Sequence, residues 1–113
     1  MLIYNGSVWV STGGGQSTYW TETSTTYDAV AGSKLFVDTS SNAVQVNLPA
    51  SPVMGDEVYI VDAAGNSGAY NITVNRNGNK ITGLDENLTI DVDDAAIILA
   101  YYNATRGWIV ISK

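Results

Sequence analysis

Apolar and polar residues alternate along most of this chain. In Ala43-Val44-Gln45-Val46-Asn47-Leu48, the side chains of Val44, Val46 and Leu48 fall on one face of an extended strand, and Gln45 and Asn47 fall on the other. One face of this strand is core. The same pattern, interrupted by turn-forming residues, predicts strands over residues 19–23, 27–30, 34–38, 43–48, 57–62, 70–75, 88–91, 96–102 and 107–112. No useful length of chain carries apolar residues at the i, i+3, i+4 spacing of an amphipathic helix, so the expected class is all-β. Punctuation fits that reading. Pro49 and Pro52 cannot donate to a ladder and end a strand, Gly55-Asp56 turns the chain, and Asn77-Gly78 suits a tight turn. In Ala96-Ile97-Ile98-Leu99 both faces are apolar, which predicts a strand either central in a sandwich or with its second face on a partner, the partner being the preferred reading.

Two further short strands, residues 2–4 and 8–10, flank Asn5-Gly6, the dipeptide that best suits a type I′ hairpin turn. The expected organisation is a hairpin or arm over residues 1–10, a Gly/Ser-rich linker over 11–17 and one β domain over 18–113. Short strands at close spacing suggest an antiparallel β-sandwich with jelly-roll-like connections. The first hairpin and the last, around Tyr101 to Val110, share an aromatic, Asn, small turn, Trp and aliphatic order, an echo too weak for a repeat architecture.

Composition narrows the function. A chain of 113 residues is one domain, and a domain of this size buries only about two thirds of the surface its unfolded form exposes. It has no Cys and no His, so neither a disulfide nor a zinc site of the usual kind is available, and no cofactor is expected. A subunit interface is then the expected source of additional burial. A net charge of -6 with only five Lys and Arg argues against nucleic acid and against an anionic membrane surface. The longest apolar run, residues 95–102, is far short of the roughly 20 residues of a membrane span. The opening residues lack the basic and apolar regions of a secretory signal, so synthesis and retention in a cytoplasm until assembly or lysis are expected.

Candidate chemistry is sparse. Asp91, Asp93 and Asp94, with Asp85 and Glu86 upstream, are the one acidic cluster that could hold a loosely bound Ca2+ or supply paired carboxylates. An EF-hand is excluded, since Ile97 and Tyr102 stand where its Gly and Glu would be if Asp91 were the first ligand. The plain alternative is a solvated turn. Neither Ser33-Lys34 nor Ser112-Lys113 makes a dyad, because adjacent strand residues point to opposite faces. Gly13-Gly14-Gly15 lacks the Lys and the following helix of a phosphate loop. Aromatic residues remain: Trp9, Trp20 and Trp108 could stack on a sugar, pack in a core or anchor an interface. The expected interface or adhesion residues are Trp9, Trp20, Val44, Val46, Ile98 and Trp108, and no enzymatic activity is expected.

The chain also carries an ordered set of motifs. Leu35-Phe36-Val37-Asp38-Thr39-Ser40 is followed by Leu48-Pro49-Ala50-Ser51-Pro52, Gly55-Asp56-Glu57-Val58 and Thr73-Val74-Asn75-Arg76-Asn77-Gly78. This order resembles a module of bacteriophage virion proteins, over most of residues 26–110. Residues 2–10 are similar to the hairpins that punctuate phage fibre proteins. The resemblance implies a structural or adhesive part of a virion, assembled as a homotrimer and contacting capsid, tail or baseplate proteins. The fibre or capsid-decoration role implied would serve particle stability or host attachment. A carbohydrate-binding module for a host glycan is the alternative.

Overall fold

The computed structural model describes residues 2–4, 9–11 and 20–112. Eleven strands are present, and no helix occurs among the described residues. β1 (Leu2–Tyr4) and β2 (Trp9–Ser11) pair antiparallel as a separate two-stranded sheet, with Tyr4 opposite Trp9. The predicted turn at Asn5-Gly6 and most of the predicted linker lie outside the described residues.

The remaining strands are β3 (Thr21–Thr23), β4 (Tyr27–Asp28), β5 (Lys34–Val37), β6 (Val44–Asn47), β7 (Glu57–Asp62), β8 (Ile72–Asn75), β9 (Leu88–Ile90), β10 (Ala96–Asn103) and β11 (Gly107–Ser112). They form two mixed sheets, one of five strands in the order β11-β10-β7-β5-β3 and one of four in the order β4-β6-β8-β9. From β3 to β8 each successive strand joins the opposite sheet. The result is that β3, β5 and β7 run parallel in one sheet, and β4, β6 and β8 run parallel in the other. Only then does the chain reverse: β9 pairs antiparallel with β8, β10 with β7, and β11 with β10.

This corrects the expected antiparallel, jelly-roll-like connectivity. Parallel neighbours need a crossover, ordinarily a helix. Here the crossover is a strand of the facing sheet, so the chain winds in coils between two sheets. Alternation along a strand fixes which face is buried, yet it carries no information on whether the next strand returns alongside or crosses over.

The inner faces of both sheets contribute to one core. Leu35, Val37, Val58, Ile60, Leu99 and Trp108 come from the five-stranded sheet, and Val44, Val46, Ile72, Val74 and Ile90 from the four-stranded one. Register aligns them, with Leu35 beside Ile60, and Val44 beside Ile72 and then Ile90. Each fully buried aliphatic side chain contributes about 1.5–3 kcal/mol relative to exposure. Trp108 is the largest buried side chain, and its ring meets Tyr101 edge-on at 5.4 Å.

Two turns show why particular residues stand where they do. At Asn77-Gly78 the backbone has φ of 51° and 90°, and the Asn79 amide donates to the Arg76 carbonyl at 3.2 Å. Positive φ at both central positions is what a type I′ turn demands, so the predicted turn is observed. Gly107, at φ 73°, opens β11 where the chain passes directly over Lys80, and a side chain there would overlap the Lys80 carbonyl. The close approach lets the Trp108 amide donate to that carbonyl at 2.8 Å.

Candidate functional site

The outer face of the five-stranded sheet is apolar across nearly its full width. Since Leu35, Val37, Val58, Ile60 and Leu99 point inward, their neighbours point out. Register then assembles three rows: Glu22-Phe36-Val61-Ala96, Lys34-Tyr59-Ile98-Ile111, and Glu57-Ala100-Ile109. Charge is confined to the β3, β5 and β7 side, and β10 and β11 present only Ala and Ile in these rows. Phe36 is 40% exposed and Ile111 44%. A contiguous apolar patch on a small protein marks an interaction surface more often than a lone exposed apolar residue does.

Trp20 closes one side of this face. It stacks on Phe36 with centroids 4.5 Å apart and an interplanar angle of 13°, and stands edge-on to Tyr59 at 6.2 Å. The Lys34 ammonium lies 4.4 Å from the Tyr59 ring centroid, a cation–π contact that holds the charge at the rim. Between Trp20 and β10 a cavity of about 240 Å³ opens, walled by Tyr59, Val61, Ala96 and Ile98. For scale, an engineered apolar cavity of about 150 Å³ takes up benzene.

The sequence candidates divide accordingly. Trp20 and Ile98 meet at this cavity. Val44, Val46 and Trp108 do not belong to any surface: all three point inward and are buried between the sheets, so they serve the core and are withdrawn as contacts for another subunit. Trp9 lies on β2, and its side chain is outside the described residues. Phe36, Tyr59 and Val61 were missed as surface residues. A signal for them existed, since Leu35-Phe36-Val37 and Val58-Tyr59-Ile60-Val61 are unbroken apolar runs like that of β10.

The acidic turn has a different role from the one its composition suggests. Asp91, Asp93 and Asp94 lie in the connection from β9 to β10, and no three acidic groups among the described residues converge on a common metal position. Asp93 instead accepts the Gly68 amide at 2.8 Å. The Asp94 amide donates to Asp62 at 3.0 Å.

Asp62 ends β7 on the inward side and is 3% exposed. Its carboxylate accepts the Thr39 hydroxyl at 2.6 Å and the Ser67 amide at 2.9 Å, besides the Asp94 amide. The Ser67 hydroxyl in turn donates to the Val92 carbonyl. Three connections, β5 to β6, β7 to β8 and β9 to β10, are thereby tied to one buried anion. Burial pushes the Asp62 pKa up, but the hydrogen bonds from Thr39, Ser67 and Asp94 outweigh it and bring it down to about 2. This is a structural clamp: alternation puts Asp62 on the inward face with Val58 and Ile60, but the donors that satisfy it come from distant connections that no local pattern reveals.

No protein-family model matches the chain, and no curated protein is significantly similar to it.

Proposed function

We propose that this chain is a non-enzymatic structural module of a bacteriophage virion, self-associating as a homotrimer through the apolar outer face of its five-stranded sheet. The observation that carries the proposal is that face: rows of Phe, Val, Tyr, Ala and Ile run across β5, β7, β10 and β11. Covering it on neighbouring copies releases the hydrophobic free energy that a chain of 113 residues lacks alone. The ordered motifs from Leu35 to Gly78 support the virion assignment. The module acts by shape and burial, as a fibre or capsid-decoration component bound to capsid, tail or baseplate proteins.

Sedimentation equilibrium tests the assembly, with three times the chain mass expected and the mass of one chain opposing it. Immunogold labelling of intact particles tests the role. Label on the head makes particle stability the function, label on the tail makes it attachment, and particles without label contradict the assignment.

Exposed Trp20 beside Lys34 favours a second reading, a glycan-binding face. It is the weaker one, because a sugar needs several hydrogen-bonding groups around its stacking partner and the cavity beside Trp20 is walled by apolar side chains. Binding on a glycan array that is lost in Trp20→Ala supports it.

A further inference from the structure

We infer that the cavity beside Trp20 is the seat of the chain's own N-terminal hairpin, β1 and β2. The seat does not depend on the virion assignment. A two-stranded hairpin is at best marginally stable by itself in water, so β1 and β2 need a surface to lie on. Their sequence is suited to an apolar one. The two strands contribute Leu2, Ile3, Tyr4, Trp9 and Val10, and none of the chain's charged residues occurs before Glu22. Docking this segment therefore desolvates no charged side chain of its own, and the cavity walls that would receive it, Tyr59, Val61, Ala96 and Ile98, are uncharged as well.

Position agrees with chemistry. The hairpin ends at Ser11, and Trp20, which walls the cavity, follows after only eight residues, 12–19. Eight residues span at most about 28 Å, so the hairpin is held close to this cavity. A short tether gives an effective concentration in the millimolar range, which favours the seat on the same chain over that on a neighbour. The cavity has room for a large side chain, and hot-spot anchors at interfaces are aromatic groups in such pockets. Seating the hairpin at the Trp20 end leaves Ala100, Ile109 and Ile111 free for contact between copies.

The absence of Cys makes the test direct. In the full chain carrying Ser7→Cys and Ala96→Cys, the only two thiols are one in the hairpin segment and one in the cavity wall. Reaction with a short bismaleimide, then denaturing electrophoresis and peptide mass mapping, is expected to give mostly single chains with the two positions joined. A second pair, Ser7→Cys with Val61→Cys, guards against a local effect of the first. Chains joined to one another would overturn the inference by placing the hairpin on a neighbour. So would the absence of joining in both pairs when a monomaleimide labels each thiol fully. The sedimenting mass of the same sample before denaturation reports self-association separately, so the two ideas fail independently.

Discussion

The outer faces of the two sheets arise from the same alternation and have opposite chemistry. On the four-stranded sheet, register aligns Gln45 with Thr73 and Thr89, and Asp28 with Asn47 and Asn75. Because the strands are parallel and in register, the second row forms a ladder of amides: Asn75 donates to Asn47 at 2.9 Å, and Asn47 donates to Asp28 at 2.8 Å. That face is satisfied by its own hydrogen bonds and by water. On the five-stranded sheet the equivalent rows hold Phe36, Val61, Ile98 and Ile111, for which water is a poor neighbour. Both faces cover the same core, so core packing does not explain the difference. The five-stranded face is the one with free energy still to be released by covering it.

The largest effect that separates the faces is expected from charge. Ile111→Asp, in the part of the face left free by the hairpin, should reduce the sedimenting mass to that of one chain, whereas Thr73→Asp on the opposite sheet should leave it unchanged. Equal masses for the two variants would remove the distinction and place the seam elsewhere.

Next in size is a change to the clamp that both sheets share. Asp62→Ala leaves the Thr39 hydroxyl and the Ser67 and Asp94 amides without their acceptor. Buried donors of this kind cost about 1–3 kcal/mol each, so a loss of at least about 3 kcal/mol is expected in chemical denaturation. A loss under about 1 kcal/mol would show that the three connections are held by something else.

On the polar face, Asn47→Ala removes the middle rung of the amide ladder. The expected cost is about 1 kcal/mol with no change in sedimenting mass, measured by urea denaturation beside sedimentation. A change in mass would mean that this face too is an interface.

Smallest at ordinary pH, yet specific in sign, is the titration of Asp62. Its pKa lies below the usual 3.8, at about 2, because the carboxylate form is hydrogen-bonded in the fold. Its contribution is therefore fully present above about pH 4 and is lost as pH falls through about 2. Stability followed between these limits should decline in the parent protein and lose this component of the slope in Asp62→Asn. Matching slopes would contradict the assignment.

Alternation by itself placed the strands. β7 at Glu57–Asp62 and β11 at Gly107–Ser112 coincide with the predicted segments, and the inward set Val44, Val46 and Leu48 is buried as the pattern requires. The doubly apolar run at Ala96 to Leu99 also pointed to a second apolar face, because hydrophobicity on both sides of one strand is visible without knowing its neighbours. Which strands lie side by side was decided only in three dimensions. Leu35 and Ile60 pair across 25 positions of chain, with a strand of the other sheet between them, and no local preference encodes that crossing. The rows that make the apolar face, and the clamp that gathers Thr39, Asp62, Ser67 and Asp94, exist only once the coils are stacked. A side chain's partners come from register between distant strands, and register is a property of the packed sheets.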